Sequence, residues 1–189
     1  MTRPGQWYLD RTAGRVVYWP LPGEEMARAE VVAPRLERII HVAGDKKKPV
    51  EAITIRGLVL AATTTPLKAG GFGAYAFDGA VRIDRARQCT LENLEVSCVG
   101  GQGILAGGVS ECRIAGCHVH HTGACGVKIG GEGTVAERNH IHHVGVYYPS
   151  AIALPAYSSG GKTPRACTSC ATRSTTRPTP ASPAAAATC

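Results

Sequence analysis

The sequence predicts an all-β fold: a parallel β-helix solenoid of about four coils, preceded by a small β-hairpin. Three observations carry this expectation. Three stretches, Cys89–Val96, Cys112–Val119 and Thr134–Ile141, align at a step of about 23 residues. Each is followed by a Gly-rich turn and a second apolar strand, at Gly103–Ala106, Gly126–Ile129 and Ala151–Leu154. Within the strands apolar and polar residues alternate, which is the period of a strand and not of a helix. A unit this short cannot enclose a core alone, so successive units must stack and share one.

Residues 1–42 read as a hairpin segment leading into the solenoid. Trp7–Arg11 and Arg15–Pro20 are aromatic, β-branched runs on either side of Thr12-Ala13-Gly14, a hairpin pattern. Trp7, Tyr8, Tyr18 and Trp19 have the flat faces that stack on sugars, but a module this small needs large apolar side chains to hold it, and packing is the favoured reading. Glu25–Glu30 reads as a short helical turn. Val31–Pro34 and Ile39–Val42 read as strands, and Lys46-Lys47-Lys48 as a solvated turn.

Residues 43–160 read as the coils. Val81, Ile104, Val127 and Ile152 form one interior column, and Ile83, Ala106, Ile129 and Leu154 a second. Leu94, Cys117 and Asn139 form a third; Val96, Val119 and Ile141 form a fourth. Between the first two columns, Arg82, Leu105, Lys128 and Ala153 should point outward. An earlier coil begins at Ile53–Leu60, where the step is 36 residues because the loop over 61–79 is inserted. Gly100, Gly103, Gly123, Gly126 and Gly145 are expected to supply the positive φ of the turns. A leucine-rich repeat fits less well: Leu91, Leu94 and Val96 match its start, but its Asn position falls on Val99 and Thr122 and no helical stripe follows. Cys89 and Cys112 share a column on rungs about 4.8 Å apart, as small buried thiols and not a bridge.

Residues 161–189 form an irregular tail. "ACTSCATRSTTRPTPASPAAAATC" has no apolar periodicity and reads as disorder or linker. A sharper reading is a frameshift. With GC-rich codons chosen and read one base over, Thr168–Cys189 can encode HELRHALHDAPHAGIAGGGDM, another coil of the same type. Cys167, Cys170 and Cys189 then carry no chemistry, and the C-x-x-C at Cys167 has no second pair to hold zinc.

At 189 residues one domain is the default, and no apolar run is long enough for a membrane span. The net charge of +7 owes four basic residues to the segment after Gly161; before it, 17 basic and 14 acidic side chains make an ordinary surface. Nucleic acid is therefore not an expected partner. Met1–Gln6 lacks the apolar region of a signal peptide.

Chemistry is expected on the outward ladders Glu95, His118, His140 and Ser97, His120, His142, with Cys98, His121, His143 beside them. These gather six of the seven histidines. Clustered imidazoles can act as acid–base groups or bind a metal. Simple repetition of His at exposed strand positions explains the clustering without a site and is the favoured reading, and no metal or other cofactor is expected. Glu95, His118, His120, His140, His142 and Lys128 are the catalytic candidates, and Tyr147 and Tyr148 the candidate sugar platform. A glycosidase needs two carboxyl groups about 5–9.5 Å apart. Glu92 aligns with Ala115 and Arg138, and Glu95 with two histidines. No acid repeats in a column, so no carboxylate pair can be named. A calcium-dependent lyase would need an acidic cluster, which is absent, beside a base such as Lys128 or Arg82.

The stretches "CHVHHTGACGVKIGG" and "NHIHHVGVYYPSAIAL" resemble the right-handed parallel β-helix repeats of the pectate-lyase-like superfamily. The upstream "GQWYLDRTAGRVVYWPLPGEE" resembles a segment of large secreted β-helix glycoside hydrolases of the fucosidase/xylanase type. The resemblance covers about Gly5 to Ala156. It implies a fragment of a secreted, extracellular or periplasmic protein, a glycoside hydrolase acting on plant or microbial polysaccharide. The alternatives are a non-catalytic polysaccharide-binding or adhesion β-helix and a polysaccharide lyase. The implied partner is a polysaccharide or oligosaccharide. With coils missing from its ends, the chain alone is expected to be inactive on glycans and to self-associate through open solenoid ends.

Overall fold

The computed structural model describes residues 1–158 and 163–166. The segment expected to be a misread coil, with Cys167, Cys170 and Cys189, lies outside the described residues. The chain divides after Ala33 into two compact units.

In the first unit, β1 (Trp7–Asp10) and β2 (Arg15–Tyr18) form an antiparallel hairpin that pairs Trp7 with Tyr18 and Asp10 with Arg15. The turn is closed by the Ala13 N–H, which donates to Asp10 Oδ1 at 2.9 Å. A 3₁₀ turn at Met26–Arg28 matches the expected helical turn. Val31–Pro34 is not the expected strand, since this backbone joins no sheet among the described residues. Trp7, Tyr8 and Trp19 are exposed.

The second unit is the solenoid. Its first coil runs through β3 (Ile40–Ala43), β4 (Val50–Glu51), β5 (Thr54–Arg56) and β6 (Val59–Thr63). The next comprises β7 (Gly79–Asp84), β8 (Ala86–Arg87), β9 (Thr90–Glu92) and β10 (Glu95–Val99). The third holds β11 (Gln102–Ser110), β12 (Arg113–Ala115) and β13 (His118–Thr122), and the fourth β14 (Val127–Glu132), β15 (Val135–Glu137) and β16 (His140–Val144). A partial coil follows with β17 (Ala156–Tyr157) and β18 (Arg165–Ala166).

Corresponding strands pair in parallel. Sheet I is β3-β7-β11-β14-β17, with β4 and β8 attached; sheet II is β5-β9-β12-β15-β18; sheet III is β6-β10-β13-β16. The interior columns converge on one core. Val81, Ile104 and Val127 come from sheet I, Leu91, Ile114 and Ala136 from sheet II, and Val96, Val119 and Ile141 from sheet III; all are almost fully buried. Cys89, Cys112 and Cys117 are free, buried thiols in that core, as expected.

Three expectations about register and turns are corrected. In the partial coil the two columns continue through Leu154 and Ala156, not through Ile152 and Leu154. Ile129 pairs with Ala156, and the Val127 N–H donates to Ala153 O at 2.9 Å. The chain between β16 and β17 is drawn aside first, with the N–H groups of Tyr147 and Tyr148 both donating to Gly123 O. That detour leaves Ile152 exposed and buries Ala153, which was expected to face outward.

The second correction concerns glycine. Of the five expected turn glycines only Gly145 has positive φ, at 74°. Corners are turned mostly by single left-handed residues stacked in columns, such as Gly57, Asn93, Gly116 and Arg138 with φ of 68°, 52°, 63° and 53°. Gly100, Gly103, Gly123 and Gly126 are small because neighbouring coils touch there: a Cβ on Gly100 would lie 2.8 Å from the Thr64 carbonyl carbon, and one on Gly126 2.7 Å from Ala153 O.

The third correction is on sheet II. Glu92 stands in register with Ala115 and Glu137, so an acid does repeat in a column, two rungs apart; Arg138 falls on the corner beside Asn93. Both carboxylates accept from Arg113, Glu92 Oε1 from Nη1 at 3.3 Å and Glu137 Oε1 from Nη2 at 2.7 Å. Among the described residues no helix is long and apolar enough to cross a membrane.

Candidate functional site

Two outer faces of the solenoid gather polar chemistry. Sheet III carries the histidines in the expected columns. His118 pairs with Glu95 and His140, and His120 with Ser97 and His142. The 4.8 Å rung spacing of a sheet makes same-column side chains stack. His118 and His140 stack at 4.9 Å, His120 and His142 at 5.1 Å, and His121 and His143 at 4.7 Å, all within 7° of parallel.

Nitrogen contacts then cross the ladders. His118 Nε2 lies 2.8 Å from His142 Nε2, His142 Nδ1 lies 2.5 Å from His143 Nδ1, and His120 Nδ1 lies 2.8 Å from His121 Nδ1. Ring nitrogens of His118, His140 and His142 all fall within 4.8 Å of one another, so these three could hold a metal ion. Desolvation, helped by the charges of four neighbouring imidazoles, pulls the His142 pKa down to about 4. Desolvation first and neighbouring histidines second also lower His120 and His121. At neutral pH the His142 ring is neutral, which favours metal binding over acid chemistry. Glu95 Oε1 is 3.7 Å from His120 Nε2 and completes the expected group.

Lys128, the remaining catalytic candidate, is not part of this cluster. It lies on sheet I, in a column with Arg82 and Leu105. These side chains point away from the core, yet Leu105 and Lys128 are buried because the inserted loop folds over them. Several contacts hold the loop, these among them. Gln102 Nε2 donates to Phe77 O at 2.8 Å, Cys125 Sγ to Gly73 O at 3.1 Å, and Lys128 Nζ to Tyr75 O at 3.2 Å. The Phe77 ring stacks on Tyr148 with centroids 3.9 Å apart. Tyr148, expected as half of a sugar platform, is therefore a packing residue, while Tyr147 is exposed.

Loop and sheet enclose a groove of about 430 Å³ lined by Tyr75, Asp78, Arg82, Asp84, Lys128 and Tyr157. Its charges form a closed ring. Arg82 donates to both Asp84 Oδ2 and Asp78 Oδ1, at 2.5 and 3.1 Å. Arg38 Nε meets Asp78 Oδ2 at 3.0 Å. His41 lies between Asp84 Oδ2, 2.9 Å from its Nε2, and Arg38 Nη1, 3.0 Å from its Nδ1. This fixes the His41 proton on Nε2, with Nδ1 accepting from the guanidinium. Partial burial pushes the Asp84 carboxyl up, but hydrogen bonds from Arg82 and His41 outweigh it and hold its pKa below the usual value.

Lys128 lies outside that ring. Its Nζ sits 4.5 Å above the Tyr75 ring and 5.6 Å from the Tyr157 ring, and it forms no ion pair among the described residues. Desolvation lowers its pKa. The sequence pattern assigned His41 to a strand and gave no role to Asp78, Asp84, Tyr75 or Tyr157. The one signal for this site was the insertion, because extra residues at a solenoid turn tend to cover a face.

Three parallel sheets wound by one chain, with a shared core and single-residue corners, define the parallel β-helix class. The family model described as "Right handed beta helix region" matches residues 79–166, from β7 to β18. The chain folds as a parallel β-helix, and residues 79–166 are similar to right-handed β-helix regions. Comparison with curated proteins gave no match, and comparison with solved structures gave none.

Proposed function

We propose that this chain is the groove-bearing part of a secreted carbohydrate-active β-helix protein and that the groove on sheet I binds an acidic polysaccharide. The observation that carries this is Lys128: a cation buried at the floor of a loop-roofed groove, flanked by two tyrosine rings and left without a carboxylate partner among the described residues. A buried charge is costly unless paired, so the site gains most from a ligand that brings its own carboxylate. The tyrosine faces suit the apolar face of a sugar ring.

Hydrolysis finds less support in this groove. Asp78 and Asp84 both accept from Arg82, whereas a glycosidase keeps one carboxyl protonated for the leaving group. The hydrolase reading rests on the upstream resemblance. A lyase reading is favoured by one observation, the lowered pKa of Lys128, because burial that disfavours the charged amine makes it easier for the side chain to serve as a base beside a uronate carboxylate.

Binding of a uronic-acid oligosaccharide and of its neutral counterpart, measured by calorimetry on the purified chain, tests the proposal. Saturable binding of the acidic sugar alone, lost in Lys128→Met, is expected. Equal binding of both sugars, or of neither, overturns it. An ultraviolet-absorbing unsaturated product would identify the lyase.

A further inference from the structure

We propose that His118, His140 and His142 form a zinc-class metal site on the outer face of sheet III, separate from the groove on sheet I. The backbone supplies the geometry. His118 and His140 occupy one column on adjacent rungs, and His142 follows His140 by two residues on the same strand, so all three rings emerge on one face. Their nitrogens lie within 4.8 Å of one another. Zinc–nitrogen bonds of about 2.0–2.1 Å in a tetrahedron require ligand nitrogens about 3.3 Å apart. The His118–His142 contact of 2.8 Å is shorter than that and the widest spacing is longer, so small side-chain rotations close the site.

The proton inventory supports the same arrangement. Two Nε2 atoms 2.8 Å apart must share one proton when no ion is present. His142 Nδ1 is already engaged by His143 Nδ1 at 2.5 Å. If His142 donates that proton, its Nε2 presents a lone pair toward His118. Moving the His118 proton to Nδ1 turns both Nε2 lone pairs onto one ion. His143 then holds the ligand ring from behind, as a second-shell partner does in protein zinc sites. Glu95, one rung from His118 in the same column, brings negative charge to the same face.

Imidazole donors select zinc, copper or nickel over calcium or magnesium, which prefer oxygen. His140 is exposed, so the fourth position opens to water. The ion would bridge the third and fourth coils and clamp one rung pair of sheet III.

The test is titration of the purified full chain with zinc, and separately with cobalt, followed by calorimetry and visible absorption. One ion per chain, micromolar affinity, the visible bands of low-coordinate cobalt and no competition by calcium are expected. His118→Ala and His142→Gln should each weaken binding at least about 10-fold. If those variants do not fold, the wild-type chain still decides the question. Zinc should shield His118, His140 and His142 from diethyl pyrocarbonate while His41 stays reactive. Absence of saturable zinc binding, binding unchanged in both folded variants, or uniform shielding of all histidines overturns the proposal. Sugar binding in the sheet I groove is read independently, so failure of either assignment leaves the other standing.

Discussion

The Asn139 carboxamide accepts the backbone N–H of Cys117, one coil earlier, through Oδ1 at 2.9 Å. The same side chain donates through Nδ2 to Ile114 O at 2.9 Å, and the residue is almost fully buried. Two adjacent coils are thus joined by a polar clip inside the core. Asn139→Ala would orphan the Cys117 N–H where water cannot reach it, at a cost of about 1–3 kcal/mol. Chemical denaturation should show that loss with an unchanged m-value. A variant as stable as the parent would show that the clip contributes nothing.

Cys117 occupies the Asn139 position one coil earlier and does the same work poorly. Its Sγ reaches Leu91 O at 3.9 Å, and the Leu94 N–H faces its sulfur. Cys117→Asn should replace these weak contacts with two amide hydrogen bonds, for a gain of about 1 kcal/mol. A rise in Tm of the variant checks this. A fall would mean that the column lacks room for the carboxamide.

The sheet III columns were legible in the sequence because a strand alternates every second residue and the repeat step held through Ile141. Glu95, His118 and His140 therefore fell where expected. Ile152 did not, because the turn after Val144 is diverted by the Tyr147 and Tyr148 amides binding Gly123 O, a contact with no periodic signature. The corner residues were hidden for a different reason. Arg138 and Glu111 adopt positive φ without being glycine, at corners where neighbouring coils stack. The groove was hidden because it is assembled by a loop whose anchors, Gln102 and Lys128, act at a sequence distance of 25 to 53 residues.

Gly123 tests the close-contact reading of the non-corner glycines. A Cβ there would lie 2.8 Å from the Gly100 carbonyl carbon and 2.6 Å from the Tyr147 ring. Its φ is not in the left-handed region, so the penalty is steric and not conformational. Gly123→Ala should destabilise the chain by about 1–3 kcal/mol or more, since backbone of the adjacent coil has to move. A neutral effect by thermal unfolding would contradict the packing argument.

Asp84 gives a pH dependence of definite sign. Its folded pKa lies below the ordinary 3.8, so the stability it contributes is complete above that value and is lost as pH falls through the folded pKa. Unfolding midpoints should drop as pH is lowered below about 4. In Asp84→Asn that part of the slope should disappear, at the expense of a lower midpoint at neutral pH. An identical acid limb in parent and variant would remove Asp84 from the account.

Lys128 should show the opposite trade between stability and binding. Burial lowers its pKa, so the charged amine is disfavoured in the folded chain, against which act the Tyr75 carbonyl and two ring faces. Lys128→Met keeps an apolar stem of similar length and removes the charge. If the lysine is held in place for a ligand, the variant should match or exceed the parent in Tm while losing acidic-sugar affinity, the usual signature of a strained functional position. A structural lysine would behave otherwise: the carbonyl contact and the cation–π contacts would outweigh desolvation, and Lys128→Met would lower Tm by an amount equivalent to about 1 kcal/mol or more. Measuring Tm and affinity on the same preparation separates these cases, because only a binding lysine moves the two quantities in opposite directions.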